Sequence, residues 1–178
     1  SEPLTVAESD CYDILILLGG PHSIRNPPEH ILNMLNIVER FLSINKTIFG
    51  HCLGAQIIAL ILGSEIEDCP TPEYGWTKLR EINSDRNFCA FQSHSEGFAT
   101  IPDGSVLLWE SDAWKNQGFV KGSALAMQFH IEVRLTEIQS WCASNQNLDY
   151  STCRNISLLN QSKLILNEIY TAHLESNT

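Results

Sequence analysis

The hydrophobic pattern at the start of the chain predicts a strand followed by a helix. Residues 13–18 (DILILL) form a continuous apolar run that stops at Gly19 and Gly20, which is typical of a buried parallel strand entering a turn. Asn26, followed by two prolines, predicts a capped helix start. Apolar residues then recur at steps of four, three and four, and predict one helical face that lasts to about residue 45, namely Ile31, Leu35, Val38 and Leu42.

A second strand and a second helix follow directly. Residues 47–49 form a short apolar strand, and residues 55–62 form an apolar helix that stops at Gly63. A chain that alternates strand, helix, strand and helix makes right-handed crossovers, which produce a parallel sheet with helices on both faces. The first third of the chain therefore predicts an α/β fold.

The remainder of the chain has short apolar segments separated by turn-forming residues. These segments predict strands at 76–82, 88–91, 105–109, 119–121 and 124–129. Helical patterns follow at 134–145 and 156–173. The sequence has no internal repeat and no low-complexity linker, so residues 1–178 are expected to form a single α/β domain.

Composition and charge indicate which kinds of partner the chain is not expected to bind. The chain has 11 Lys and Arg against 21 Asp and Glu, and its net charge of −10 argues against a nucleic-acid partner, because phosphate binding needs a positive face. No apolar run approaches the ~20 residues of a membrane span. The N-terminal residues lack the basic and apolar regions of a signal peptide. Six cysteines without a C-x-x-C pair are expected to be reduced thiols, so we expect a cytoplasmic protein that binds no membrane.

A glycine-flanked cysteine stands between the second strand and the second helix. The segment 50–54 (GHCLG) places Cys52 as in a nucleophile elbow, a sharp and strained turn in which glycine removes clashing side chains. The following helix points its N-terminus at Cys52, and the positive end of its dipole favours the reactive thiolate. Alone, this pattern also fits a structural cysteine in a tight turn. The preceding residue, His51, is expected to pack or to face solvent.

The glycine pair after the first strand is the second candidate element. Because the carboxyl ends of parallel strands meet at one edge of a sheet, Gly19 and Gly20 should lie beside Cys52. The backbone N–H of Gly20, together with that of Leu53, would then form an oxyanion hole. By itself, the pair also fits an ordinary turn.

A histidine and a carboxylate follow the strand predicted at 124–129. In extended chain, residues i and i+2 point to the same side, so His130 and Glu132 can be neighbours. The carboxylate would hold the tautomer of the imidazole and support its charged form, as the third member of a triad does. An isolated H-x-E is often only a surface pair. Here all three elements follow strands, and each meets a different catalytic requirement.

Taken together, these segments resemble a class I, triad-type glutamine amidotransferase, and within that family the stand-alone domains similar to the amidotransferase part of GMP synthase. The resemblance runs over about residues 13–134, in the family's order and spacing. It rests on the segments DILILLGGPHSI, IFGHCLGAQIIALILG, EYGW, FQSHSEGFATIPDGSVLLWES and ALAMQFHIEV. The elbow with its GAQ continuation is highly specific, whereas the C-terminal helices are compatible but not diagnostic.

The resemblance implies a fold and a role for each matching residue. The fold is a three-layer, flavodoxin-like parallel or mixed sheet with helices on both faces. Cys52 is the nucleophile, His130 the general base and acid, and Glu132 its orienting carboxylate. The backbone at Gly20 and Leu53 forms the oxyanion hole. The substrate-binding positions are Gly19, Gln56, Ser93, His94 and Ser95. No cofactor is implied, and no spacing typical of a zinc site links the histidines and carboxylates.

Three departures from the family pattern stand out. Ile131 replaces the proline of the usual His-Pro-Glu, which should be tolerated because that proline only shapes the backbone. Ser-His-Gly-Asp becomes Ser-His-Ser-Glu at residues 93–96, which is expected to reshape the substrate pocket. The family begins with a strand and a helix of some forty residues, whereas about a dozen residues precede the first strand here. The N-terminal strand is thus expected to be absent, which exposes an edge or a face of the sheet.

The leading function is hydrolysis of glutamine to glutamate and ammonia through a γ-glutamyl thioester. The sequence has no phosphate loop, so an ammonia acceptor would have to be bound by a separate partner such as a synthetase subunit. The same triad would cleave other γ-glutamyl amides, so a γ-glutamyl peptidase or hydrolase is an alternative. A non-catalytic regulatory subunit with the same fold is a second alternative, although such a subunit has no chemical reason to keep Cys52, His130 and Glu132.

Overall fold

The computed structural model of the protein describes residues 4–177, and its strands form one mixed sheet. The strands are β1 (Ile14–Leu17), β2 (Thr47–His51), β3 (Ile66–Glu81), β4 (Asn87–Phe98), β5 (Val106–Glu110), β6 (Gly118–Lys121) and β7 (Ala124–Met127). The helices are α1 (Val6–Ser9), α2 (Glu29–Ser43), α3 (Leu53–Ile61), α4 (Leu135–Ser144), α5 (Tyr150–Cys153) and α6 (Ile156–Ser176). The limits of the predicted domain, residues 1 and 178, lie outside the described residues.

The sheet has seven strands in the order β1-β2-β7-β6-β5-β3-β4. The strands β1, β2 and β7 are parallel, and all other neighbouring pairs are antiparallel. The predicted α/β fold with a parallel or mixed sheet is therefore confirmed. Its parallel part places the carboxyl ends of β1, β2 and β7 side by side, at the edge where the candidate residues were expected to meet.

The two faces of the sheet are covered by different helices. In β2 and β7 successive side chains alternate: Ile48, Ala124 and Ala126 pack with α2 and α3, whereas Phe49, Leu125 and Met127 pack with α6. Apart from the half-buried Thr47, every residue of β2 and β7 is thus buried, which explains why both strands contain continuous apolar runs. Helices cover both faces, as predicted.

The element boundaries differ most from the prediction in two places. The helix α2 begins at Glu29 rather than after Asn26, and Pro28 is its N-cap, because a proline keeps the residue before it in an extended conformation. The predicted strands 76–82 and 88–91 belong to a much longer hairpin, β3 and β4. Its register shifts between Asp68 and Glu73, where two prolines cannot donate backbone hydrogen bonds. These prolines and the charged residues beside them locally disfavour a strand, so the sequence did not predict this part of β3.

The strand β1 lies at one edge of the sheet. Ile14, Ile16 and Leu18 are about half exposed, as expected where the described residues add no further strand beside β1. The short helix α1 precedes it. Among the helices within residues 4–177, none has both the length and the apolar character that a membrane span needs.

Candidate active site

Cys52 stands at the junction of β2 and α3 in a strained backbone conformation. Its φ of 49° and ψ of −109° lie outside the regions that residues with a side chain normally adopt. A Cβ atom on Gly50 would lie 2.8 Å from the backbone nitrogen of Ala55, and a Cβ atom on Gly54 would lie 2.5 Å from the carbonyl oxygen of Leu17. Both flanking glycines are therefore required by close packing of the backbone, and the predicted sharp turn is present.

The glycine pair after β1 lies against the same cysteine. A Cβ atom on Gly19 would lie 3.2 Å from Cβ of Cys52 and 2.6 Å from Cε1 of His130. A Cβ atom on Gly20 would lie 3.3 Å from Cδ2 of Leu53, the first residue of α3. The strand order thus brings the loop after β1 to the N-terminus of α3, where the first backbone N–H groups have no partner within the helix.

His130 and Glu132 follow β7 and their side chains meet. Nδ1 of His130 lies 2.7 Å from Oε1 of Glu132. The backbone of His130 is fixed by hydrogen bonds exchanged with Phe91 of β4, at 3.0 and 2.8 Å. Ile131, which stands between the two side chains in sequence, points the other way and is fully buried in the core under α6. Burial of Ile131 holds the local backbone shape without a proline.

Opposite charges fix the protonation states of this pair. Burial alone would lower the pKa of His130, but the charge of Glu132 outweighs it and, with hydrogen bonds to Cys52 and Glu132, raises this pKa to about 10. Burial alone would raise the pKa of Glu132, yet the charge and hydrogen bond of His130, helped by His51, hold it far below its usual range. A cationic imidazole beside Cys52 is the arrangement that favours a thiolate nucleophile.

These residues border a pocket of about 690 Å³. Its lining includes all of the substrate-binding and oxyanion positions named from the sequence, together with Cys52 and His130; those positions are Gly19, Gly20, Leu53, Gln56, Ser93, His94 and Ser95. Glu132 does not line the pocket, because it lies behind His130 as an orienting group would. The volume is in the range of sites that enclose a whole small molecule.

Two of the predicted substrate residues use their side chains to build the pocket wall. The amide nitrogen of Gln56 lies 2.9 Å from the carbonyl oxygen of Glu96 and 3.3 Å from Oε1 of Gln128. The ring of His94 is buried. Its Nε2 lies 3.2 Å from a carboxylate oxygen of Glu73, and its Nδ1 lies 3.1 Å from the backbone carbonyl oxygen of Glu96. Any contact of His94 with a substrate would therefore come from its backbone.

Glu96, the residue that departs from the family's aspartate, joins β4 to the loop after β1. Its Oε1 accepts a hydrogen bond from Oγ of Ser23 at 2.9 Å and from Nε of Arg25 at 3.0 Å. Arg25 also contacts Asp68 at 2.5 Å. The loop that carries Gly19 and Gly20 is thus anchored by a charged contact that the sequence alone did not suggest.

Two further residues beside the candidate nucleophile were not identified from the sequence. The indole of Trp141 on α4 lies edge-on to the ring of His130, with 4.8 Å between ring centroids. Nε2 of Gln128 lies 3.8 Å from the sulfur of Cys52. An aromatic at helical spacing carries no signal for a neighbour on another element, so the sequence could not identify Trp141. Gln128 precedes the histidine by two residues at the end of the strand predicted at 124–129, so period-two alternation could have found it.

The close approach of Gly19 to the candidate catalytic side chains supports a prediction. Gly19→Ala is expected to lower kcat by about 10²-fold, because its methyl group would push His130 away from Cys52 and misalign the reacting atoms. Gly20→Ala is the matched control: its methyl group meets only the end of the flexible Leu53 side chain, so the loss should be below about tenfold. Steady-state kinetics and thermal melting of both variants test this. Equal losses of kcat would contradict the steric explanation.

Comparison with known proteins assigns the chain to a family. The family model described as glutamine amidotransferase class-I matches residues 2–148. Over 142 residues the chain is 32% identical to a subunit of the glutamine-hydrolysing GMP synthase of Sulfolobus acidocaldarius, and the match covers 75% of this chain and 74% of that protein.

Solved structures agree with this placement. A glutamine amidotransferase from Methylobacillus flagellatus superposes with a TM-score of 0.75 at 26% identity, over 82% of this chain and 61% of that one. A glutamine amidotransferase from Thermotoga maritima superposes with a TM-score of 0.77 over 99% of this chain and 81% of that one, and at 23% identity it supports the fold alone.

Proposed function

Because the chain belongs to the class I glutamine amidotransferase family, we propose that it hydrolyses the side-chain amide of glutamine to glutamate and ammonia. The observation that carries this proposal is that Cys52 and His130 line one pocket together with the glycine loop after β1, while Glu132 contacts His130 from behind. The strands β2 and β7 deliver the three side chains, and β1 delivers the glycine loop. Such a convergence gives a nucleophile, a proton carrier and an orienting carboxylate together.

In the first half of the proposed reaction, the sulfur of Cys52 attacks the amide carbon of glutamine. The negative charge that develops on the amide oxygen is stabilised by the backbone N–H groups of Gly20 and Leu53. His130 then gives its proton to the amide nitrogen, the carbon–nitrogen bond breaks and ammonia leaves. The product on the protein is a γ-glutamyl thioester.

In the second half, His130 acts as a base. It removes a proton from a water molecule, whose oxygen attacks the thioester carbon, and the same N–H groups stabilise the second oxyanion. The carbon–sulfur bond breaks and glutamate is released. Glu132 keeps Nδ1 of His130 protonated throughout, so that Nε2 is the atom that carries protons to and from the substrate.

The rest of the pocket would hold the amino-acid end of the substrate. We assign this role to the positions Gly19, Gln56, Ser93, His94 and Ser95, all of which line the pocket. The contacts of Gln56 and His94 within the wall favour binding through backbone groups of β4, and Glu96 holds the glycine loop in place. On this proposal no cofactor takes part.

The pocket also favours a second candidate substrate class, γ-glutamyl amides larger than glutamine. It extends past the candidate catalytic residues to Trp141, Ser144 and Asn145 at the end of α4, and it would accommodate more than a single amino acid. A γ-glutamyl peptidase would use the same triad chemistry with an amino acid or peptide as the leaving amine. The two substrate classes differ in the leaving group, which is ammonia for glutamine and an amino acid or peptide for the larger γ-glutamyl amides.

A separate partner is part of the proposal. The Sulfolobus relative is by name one component of a GMP synthase, and we propose that ammonia released here is likewise used by a separate synthetase subunit. A cytoplasmic location, and a single domain over residues 1–178, remain predictions. A non-catalytic role is not favoured, since such a protein would have no chemical reason to keep Cys52, His130 and Glu132 together.

A substrate panel tests the proposed function. Purified protein is incubated with glutamine and with γ-glutamyl dipeptides, and ammonia, glutamate and free amine are measured. We expect ammonia and glutamate in equal amounts from glutamine, and rapid labelling of Cys52 by a glutamine-analogue electrophile. Turnover of the dipeptides alone would reassign the protein as a γ-glutamyl peptidase. If Cys52 is labelled no faster than the other five cysteines, the enzymatic proposal is wrong.

A further inference from the structure

His51 connects the candidate triad to the C-terminal helix. Its side chain is fully buried, and it lies between Glu132 and Tyr170 of α6. Nδ1 of His51 is 3.1 Å from Oε2 of Glu132, and Nε2 of His51 is 2.7 Å from the hydroxyl oxygen of Tyr170. Of the two arrangements expected for His51, packing and exposure to solvent, the structure has packing, with polar contacts at both ends of the ring.

The partners of each polar atom fix which atoms carry hydrogen. Oε1 of Glu132 is taken by His130, whereas Oε2 of Glu132 and Nδ1 of His51 are buried, face each other at 3.1 Å and make no fully aligned hydrogen bond with any group in residues 4–177. A carboxylate only accepts hydrogen bonds, so Nδ1 of His51 must be the donor. In the neutral ring Nε2 is then an acceptor, and Tyr170 donates to it. The series runs from Tyr170 through His51 and Glu132 to His130.

Tyr170 is well placed to donate the first hydrogen bond of this series. Its ring stacks on Phe49 of β2, with 3.9 Å between centroids and 20° between planes, so the hydroxyl is held at a fixed position. Burial, followed by the nearby charge of Glu132, raises the pKa of Tyr170 above its usual value. The hydroxyl therefore keeps its proton at any pH at which the protein would act, and it remains a donor.

We propose that His51 and Tyr170 are positioning residues that hold Glu132 in the orientation needed by His130, with the Tyr170 hydroxyl holding the His51 ring so that its Nδ1–H faces Glu132. This inference rests on the proposed hydrolytic function. Without the Tyr170 hydroxyl, Nε2 of His51 becomes a buried acceptor without a partner, and the ring is free to turn away from Oε2 of Glu132. The carboxylate would rotate away, and His130 would lose its fixed tautomer and position.

Three variants separate this positioning role from simple packing. Tyr170→Phe keeps the ring on Phe49 but removes the hydroxyl, and it should lower kcat by about three- to tenfold with KM unchanged. His51→Leu should lower kcat by about 10- to 100-fold. His51→Asn places an amide N–H near the position of Nδ1 and should restore kcat to within about threefold of wild type. Tyr150→Phe, which removes a half-buried hydroxyl elsewhere, is the control and should have no effect.

The decisive measurement is Tyr170→Phe on top of His51→Asn. Asparagine has no atom at the position of Nε2 to pair with the Tyr170 hydroxyl, so the second substitution should cost nothing further. The same loss in both backgrounds, a loss that appears in KM rather than kcat, or wild-type kcat in Tyr170→Phe would overturn the proposal. If His51→Leu does not fold, as judged by thermal melting, the other two variants still decide the outcome.

A spectroscopic measurement tests the tautomer without relying on activity. Nitrogen-15 NMR of histidine-labelled protein should show a proton on Nδ1 of His51, and Tyr170→Phe should shift the resonance of Nε2, which loses its hydrogen-bond partner. A proton on Nε2 of His51 in the wild-type protein overturns the inference even if glutamine is hydrolysed. Conversely, failure of wild-type protein to hydrolyse any γ-glutamyl compound would defeat the proposed function, while the NMR result would still decide the arrangement of His51.

Discussion

Replacing Cys52 by alanine is expected to abolish ammonia release from glutamine, with a loss of at least about 10⁴-fold, because no other group in the pocket can form the thioester. Ammonia is measured by a coupled assay. The substitution removes one buried sulfur and leaves the backbone of the elbow as it is, so the melting temperature should change little. Turnover of Cys52→Ala clearly above background would refute the assignment of the nucleophile.

A matched control separates loss of the nucleophile from loss of a buried thiol. Cys153 is also free and buried, but it lies in the cluster with Leu148 and Leu159 and does not line the pocket. Cys153→Ala should lose some stability and keep wild-type kcat. Comparable loss of activity in both variants would show that the effect of Cys52→Ala is structural rather than chemical.

The central residues of the site could be predicted because each is tied to a local signal. Cys52, the glycine pair and His130 each follow an apolar run that is long enough to be a buried strand. The carboxyl ends of such parallel strands lie at the same edge of the sheet. Strand β2 lies between β1 and β7, so all three runs end side by side. The order of strands and helices was therefore enough to predict the convergence.

The surrounding contacts could not be predicted, because they join segments far apart in sequence. His51 and Tyr170 are separated by 119 residues, and Arg25 and Glu96 by 71. No periodic pattern relates such positions, and only the packing of α6 on the sheet brings Tyr170 to the site. The same limit applies to the hairpin of β3 and β4. Its pairing is set by long-range partners, while its prolines and charges locally disfavour a strand.

His130→Ala is expected to lower kcat for glutamine by at least about 10³-fold, since the imidazole both protonates the leaving ammonia and activates the water. Glu132→Gln should cause a loss that is roughly 10- to 100-fold smaller, because Glu132 orients the base and transfers no proton itself. The amide still fills the space, but its nitrogen must face one of two histidine N–H donors, His51 or His130. One of these rings then has to change its tautomer or move.

The comparison needs a carboxylate whose charge is removed without affecting the site. Glu137 on α4 pairs with Arg134 at the surface, and Glu137→Gln should leave kcat unchanged. With this control, kcat should fall in the order Glu137→Gln, Glu132→Gln, His130→Ala. A loss in Glu132→Gln equal to or greater than that in His130→Ala would mean that the carboxylate does more than orient the imidazole. It would then have to take part in proton transfer directly, which its position behind His130 and outside the pocket lining argues against.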